Sequence, residues 1–379
     1  MPEAPQTRET VLLAVGDVCP SRPDPASLFV KTQDAFHSAD IAFCQLEINL
    51  TERGSRLPQA RHTDRSSPSA AMALRAAGFG VVSFAGNHCM DWGREGFFDT
   101  MDALKAAGLA VVGVGADLAQ ARKPVIVESK GARIGFLAYN SILPMSYWAE
   151  ANRPGCAPLR AWTHYEQIEH DQPGTPCRVH TWAHEGDLAA LLADIAALKQ
   201  QADAAIVSLH WGIHFVPAVI ADYQRQVAHA AIDAGADLIF GHHAHILKGV
   251  EVYRGVPVIY SAGNFAMDLP MTPEHAARPS FKEIQKLNPD WIPDFDSSYN
   301  FPFDSRKSLI AKCVVGPSAK PRTSLLPVYI DRQSVPEILE RQDPRFEEVR
   351  LYMEKISRDA GLNGRLVAAD NELLIEAAS

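Results

Sequence analysis

The stretch Val81-Val82-Ser83-Phe84-Ala85-Gly86-Asn87-His88-Cys89-Met90-Asp91-Trp92-Gly93 decides how the chain is read. Its first half is β-branched and aromatic, the pattern of a buried strand, and it stops at Gly86. Asn87 and His88 follow where a parallel strand would end, the edge at which open α/β folds bind ligands. An amide oxygen is a neutral hard ligand for a divalent cation, and the imidazole beside it can ligate a metal or move a proton. A polar turn after a strand has the same composition, so the weight falls on whether the chain repeats the pattern.

It does. Residues 11–16 form an apolar run ending at Asp17, and residues 40–44 a second ending near Gln45-Leu46-Glu47. Ala204 to Leu209 ends at His210, and Leu238 to Phe240 ends at Gly241-His242-His243-Ala244-His245. Helical spacing fills the gaps at 27–39, 68–77, 95–107, 188–200 and 223–234, with Gly108 closing the third as a C-terminal glycine. Strands are also expected at 109–114, as a hairpin at 124–127 and 133–139, and as a second hairpin around Arg254-Gly255 before Gly263-Asn264-Phe265. A lone polar residue at a strand end means little, but five in succession are hard to explain as decoration. A parallel sheet would bring all five to one edge. Mixed oxygen and nitrogen ligands suit Mn, Fe or Zn better than Ca. His243 and His245 stand two apart, so both reach a cleft only from a turn.

Composition narrows the class. At 379 residues, 47% apolar and 21% charged, the chain has the make-up of a globular protein with a large core. A net charge of −9 argues against nucleic-acid binding, and an anionic substrate would need local cations. The first residues lack a signal-peptide pattern and no apolar run reaches a bilayer span, so a cytoplasmic protein without membrane partners is expected. The six cysteines form no CxxC pair and read as free thiols.

With these motifs in place the sequence resembles the CapA, or poly-γ-glutamate biosynthesis, family within the calcineurin-like metallophosphoesterase superfamily. The resemblance runs from about Val11 to Asn264 and faintly on to Ile330. It is carried by Gly16-Asp17, Gln45-Leu46-Glu47, Asn87-His88 with Asp91-Trp92-Gly93, His210-Trp211-Gly212, Gly241-His242-His243-Ala244-His245 and Gly263-Asn264-Phe265. It implies an α/β fold, a four-layer αββα sandwich, with two divalent transition-metal ions at the strand ends. Asp17, Glu47 and His245 would hold one ion; Glu47, Asn87, His210 and His243 would hold the other. His88, oriented by Asp91, would be the general acid or a transition-state stabiliser. Where the wider superfamily has a histidine two residues after the first aspartate, this chain has Cys19, read as a buried thiol. Trp211 and Asn264 are expected to border the substrate.

Two segments break the strand–helix rhythm, about 141–185 and 267–306. Their aromatic content argues for ordered binding loops. The first offers Tyr147, Trp148, Arg153, Arg160, Trp162 and His164; the second offers Arg278, Lys282, Trp291, Tyr299 and Arg306. Arg153 and Arg160 are the expected readers of a small anionic substrate. Residues 336–379 read as an amphipathic helical extension packed on a catalytic domain of residues 1–335. The leading expectation is hydrolysis of an amide or related carbonyl bond in a small acidic substrate. A phosphoesterase and a non-catalytic capsule or poly-γ-glutamate assembly protein are the alternatives, and a homodimer is left open.

Overall fold

A computed structural model describes residues 9–60, 64–286, 288–316 and 320–378. The strand Thr10–Cys19 is the hub of a ten-stranded sheet. Ile41–Leu46, Val81–Ser83 and Ala110–Val112 follow it on one side, all parallel. On its other side it first pairs antiparallel with Lys307–Val315, through Thr10 to Val15. It then exchanges that neighbour for the parallel strand Asn264–Met267, beginning at Asp17. The exchange needs Gly16, where a Cβ would fall 2.0 Å from the Gly263 carbonyl oxygen. The second sheet has six strands, with Ala204–His210 and Leu238–His242 parallel at its centre and Ala132–Asn140 beside them.

The two sheets pack face to face. Phe43 of the first stacks on Phe136 of the second, ring centroids 5.6 Å apart, and meets Phe240 edge-on at 6.3 Å. Strand alternation explains the layering. In the second sheet Ile134, Phe136, Ile206 and Phe240 enter the core shared with the first sheet, whereas Leu137, Val207, Leu209 and Ile239 join a separate core with the helices Glu185–Lys199 and Asp222–Asp233. Helices Ala70–Ala76, Gly93–Ala106 and Pro344–Asp359 add Leu74, Phe97 and Met353 to the buried cluster that is continuous with it.

Three expectations need correction. The five ligand-bearing strand ends do not share one sheet: Asp17, Glu47 and Asn87 come from the first, and His210, His243 and His245 from the second. Apolar runs with the same spacing serve either sheet, so periodicity alone cannot assign them. The helix expected over 27–39 is a 3₁₀ turn, Pro25–Phe29, and a short helix, Gln33–Ser38. Both Leu28 and Phe29 are buried, and the Thr32 hydroxyl donates back to the Phe29 carbonyl at the break.

The C-terminal segment is not helical throughout. Its helix, Pro344–Asp359, carries the amphipathic stripe Phe346, Val349, Met353 and Ile356 and is capped by Asp343. The strand Pro336–Ile338 precedes it, and the hairpin Gly364–Ala369 and Glu372–Ala377 follows. That hairpin extends the first sheet, pairing Ser324 with Leu374 and Leu325 with Leu373. Burying Leu366 and Leu373 requires the two-residue period of a strand, which a helical reading of 364–377 misses.

Candidate metal centre and cleft

Backbone contacts and backbone angles place four of the candidate ligands, Asp17, Glu47, His243 and His245. The Asp17 N–H donates to the Gly263 carbonyl at 3.1 Å, and Asp17 Oδ2 accepts the His243 N–H at 3.1 Å. The Glu47 N–H donates to the Val18 carbonyl at 2.9 Å. His243 and His245 lie on the turn after Leu238–His242 and both have positive φ, 86° and 55°. That left-handed backbone is unusual for histidine, and such strain gathers at functional sites. It lets two residues two apart present their rings to the same cleft. Their neighbour His242 packs against Phe43 and Phe240 in the core, with its Nδ1 3.6 Å from Asp17 Oδ1.

The side chains converge on one point. His210 Nε2 lies 2.6 Å from Asn87 Oδ1, 3.2 Å from His243 Nδ1 and 3.1 Å from Glu47 Oε1. One ring nitrogen carries at most one hydrogen, so it cannot satisfy three lone-pair atoms at once. Glu47 bridges to a second cluster, with Oε2 3.7 Å from His245 Nε2, while His245 Nδ1 stands 3.8 Å from Asp17 Oδ2. Two groups, Glu47–His210–His243 and Asp17–Glu47–His245, each bring their ligand atoms within 4.8 Å of one another. Asp17 Oδ1 and both Glu47 oxygens are buried without a hydrogen-bond partner. Buried carboxylate oxygens left bare cost several kcal/mol unless a cation meets them. The donor set therefore fits divalent metal.

Electrostatics agrees. Burial, followed by the charge of Glu47, pushes the Asp17 carboxyl well above its ordinary value. Burial pushes Glu47 the same way, but His245 and His210 outweigh it and hold Glu47 below the usual carboxylate range. Burial, reinforced by His214 and His210, keeps His243 neutral and so able to ligate. Around the ligands, Asn264 Oδ1 accepts from His245 Nδ1 at 2.7 Å and Asn264 Nδ2 donates to the Tyr299 hydroxyl at 2.8 Å. This leaves His245 Nε2 free toward Glu47, the usual way an outer partner fixes a ligating tautomer.

His88 stands at the cleft wall with Nδ1 2.6 Å from Asp91 Oδ2. Burial lowers its affinity for a proton, but the hydrogen bond and charge of Asp91 raise it further, for a net upward shift. Cys19 is not wholly buried as expected but lines the cleft, where desolvation, followed by the charges of Glu47 and Asp268, pushes its thiol well up.

The remaining expectations fare differently. The site opens into a cleft of about 830 Å³. Segment 141–185 lends it Ile142, Leu143 and Pro144 and sets Tyr147 behind Asp91. Residues 149–159 are packed into the fold, with Cys156, Ala157 and Leu159 buried, and only the last part of the segment, Ala161–Gln167 with Cys177–Ala183, is an exposed hairpin away from the cleft lining. Arg153 and Arg160 do not line the cleft. Arg160 holds Asp187 through two 2.7 Å bonds, and Arg153 pairs with Glu150 at 2.8 Å. Trp211 is wholly buried, stacked on Tyr260 with its indole N–H donating to the Tyr260 carbonyl at 3.0 Å. Asn264 acts through His245 rather than at the cleft wall. The arginines that do line the cleft are Arg56 and Arg278.

Sequence reasoning missed Arg56, His214 and Phe215. His214 sits four residues after His210, its ring 3.9 Å from that of His243, with burial holding its pKa down to about 3. The His210-x-x-x-His214 spacing was the available signal. Arg56 lies in a third break in the strand–helix rhythm, between Leu50 and Pro68, that was not counted with the other two.

Residues 11–269 match the family described as "Bacterial capsule synthesis protein PGA_cap". A probable polyglutamine synthesis accessory protein of Mycobacterium tuberculosis is 34% identical over 61% of this chain and 56% of its own length. The PGA biosynthesis protein CapA of Bacillus subtilis is 28% identical over 64% and 57% respectively. The chain thus spans less than two thirds of these relatives. An uncharacterised protein of Sinorhizobium fredii is 30% identical over 69% of this chain and 67% of its own length. Among solved structures, a hypothetical protein from Thermus thermophilus aligns at a TM-score of 0.44 and 14% identity, covering 83% of this chain and 98% of that one. A calcineurin-like phosphoesterase of Bacillus subtilis aligns at 0.39 and 12%, covering 93% and 97%. With the profile match covering more than half of its residues, this chain belongs to the PGA_cap family of bacterial capsule synthesis proteins.

Proposed function

We propose that the chain is a metal-dependent hydrolase that cleaves an amide or related carbonyl bond in a small acidic substrate. The observation that carries this reading is the convergence of Asn87 Oδ1, Glu47 Oε1 and His243 Nδ1 on His210 Nε2, beside carboxylate oxygens with no partner. Asp17, Glu47 and His245 would hold one divalent ion, and Glu47, Asn87, His210 and His243 a second. Bound there, such ions supply Lewis acidity and lower the pKa of water toward neutrality.

The chain's own groups do the rest. Asp91 engages His88 at Nδ1, which leaves Nε2 as the nitrogen available to a substrate in the cleft. A protonated His88 gives its proton to the departing amine or alkoxide. Phe215, Trp291 and Phe301 exclude water from one side of the ligands. The acidic character of the substrate rests on the cleft arginines Arg56 and Arg278.

The test is a turnover panel with Mn-, Fe- and Zn-loaded protein, offering glutamyl amides and a generic phosphodiester. Metal-dependent release from an amide supports the reading. Turnover of the phosphodiester alone would make the chain a phosphoesterase. Full metal loading without turnover of either would favour an assembly role.

A further inference from the structure

The cleft has two unlike ends. Near His88 it is polar, lined by Arg56, Gln59 and Asp64. At the opposite end an aromatic wall begins directly at the ligand His245. Phe215 lies 5.8 Å from the His245 ring on one side and Phe301 lies 5.2 Å from it on the other. Trp291 continues the wall 5.2 Å from Phe215, and Phe281 meets Trp291 edge-on at 5.0 Å. These rings form a hydrophobic cluster separate from both main cores.

The wall is built at a conformational cost. Phe215 has φ of 56°, a left-handed backbone that a bulky side chain rarely adopts. It is held there by its N–H donating to the Ala244 carbonyl at 3.1 Å and by Asn288 Nδ2 donating to its own carbonyl at 3.1 Å. Arg278 lines the same end and makes no ion pair among the described residues. A cation with no carboxylate partner beside an aromatic surface suits a ligand that is both apolar and anionic.

We propose that this end is a substrate subsite for an aromatic or branched apolar group, with Arg278 receiving a carboxylate borne next to it. The substrate class is then a carboxylic acid carrying an apolar amide substituent, seated with that substituent toward His245 and its polar portion toward His88. Calling the occupant a substrate rests on the hydrolase reading above; the subsite itself rests on the wall.

The test is calorimetric titration of the full-length, Mn-loaded protein with two probes, N-benzyloxycarbonyl-L-glutamate and N-acetyl-L-glutamate. The aromatic probe should bind at least about tenfold tighter. Phe301→Ala, or Ile284→Ser at the lip of the same wall should the first fail to fold, should erase that difference while N-acetyl-L-glutamate binds as before. Arg278→Gln should weaken both probes by roughly tenfold, and Arg278→Lys should recover part of the loss. Equal affinity of the two probes for the wild type, no binding of either, or a preference that survives the wall variant would overturn the subsite. Unchanged affinities in Arg278→Gln would remove the arginine from it. Metal content of the same samples reads the hydrolase proposal separately. Metal without the aromatic preference sinks the subsite alone, and the preference without metal sinks the hydrolase alone.

Discussion

Tyr147 donates its hydroxyl to Asp91 Oδ1 at 2.8 Å, from a segment that the sequence assigned to substrate binding. The other oxygen of Asp91 stands 2.6 Å from His88 Nδ1. The three residues form a chain in which the insertion steadies the carboxylate and the carboxylate steadies the imidazole. His88→Ala should therefore cost roughly 10²–10⁴-fold in turnover, the usual range for a lost acid–base group. Asp91→Asn should cost less, and Tyr147→Phe about tenfold at most. Metal content should be the same in all three. Metal lost on removing His88, with no separate effect on rate, would make it a ligand instead of the acid.

Arg160→Ala should lower stability and leave kinetics alone. Its guanidinium holds Asp187, a carboxylate that is 7% exposed and would keep only the Arg160 backbone N–H, at 2.9 Å, and the nearby His184 ring without it. Breaking a charge-assisted pair of this kind costs about 1–3 kcal/mol. Thermal melts of the variant, set beside its kinetic constants on the same substrate, separate the two effects. A raised KM at unchanged melting temperature would return Arg160 to the substrate.

Lys248 gives the molecule a pH signature. Its ammonium is buried, donates to the carbonyls of Val216 and Val219, and has no carboxylate partner among the described residues. Burial pulls its pKa down to about 7 from 10.5. Between those two values the unfolded chain binds a proton that the folded chain does not, so stability from this group rises with pH across that window and is lowest below about 7. The slope approaches 1.4 kcal/mol per pH unit for one proton. Denaturant melts of wild type and Lys248→Met at pH 6.5 to 9.5 check it, and the variant's advantage should shrink as pH rises. A difference between the two that stays constant over that range contradicts the assignment.

Gly16→Ala should cost both fold stability and metal. The new methyl would meet the Gly263 carbonyl oxygen where Asp17 and Asn264 are in register. Neither neighbour is a flexible side chain that can swing aside, so the strands must part. A variant with wild-type melting temperature and full metal would show that the close approach is not needed.

How much of this was legible in the residues follows from what each pattern encodes. Asp17, Glu47, Asn87, His210, His243 and His245 end apolar runs, and the structure brings them together because strand ends of a layered fold are held at one rim. That the rim belongs to two sheets was not legible, since a buried strand looks alike in either. Arg160 is held away from the cleft because a cation's partner is set by tertiary contact: nothing in the local sequence announces that Asp187, in the first turn of the next helix, will claim it. Trp211 was misread for the same reason, its ring lying on Tyr260, nearly fifty residues on. Phe215 was invisible because its role depends on a backbone angle that its residue type disfavours.

Every role proposed for the Asp17–Glu47–Asn87–His210–His243–His245 cluster depends on bound metal. Element analysis of purified wild-type protein, dialysed after Mn, Fe or Zn loading, should find about two ions per chain. His210→Ala and His243→Ala should each lose one, because each removes an imidazole from the Glu47–Asn87–His210–His243 cluster and leaves a coordination position open. The same metal stoichiometry in both variants as in the wild type, or no metal in the wild type under any loading, would contradict it.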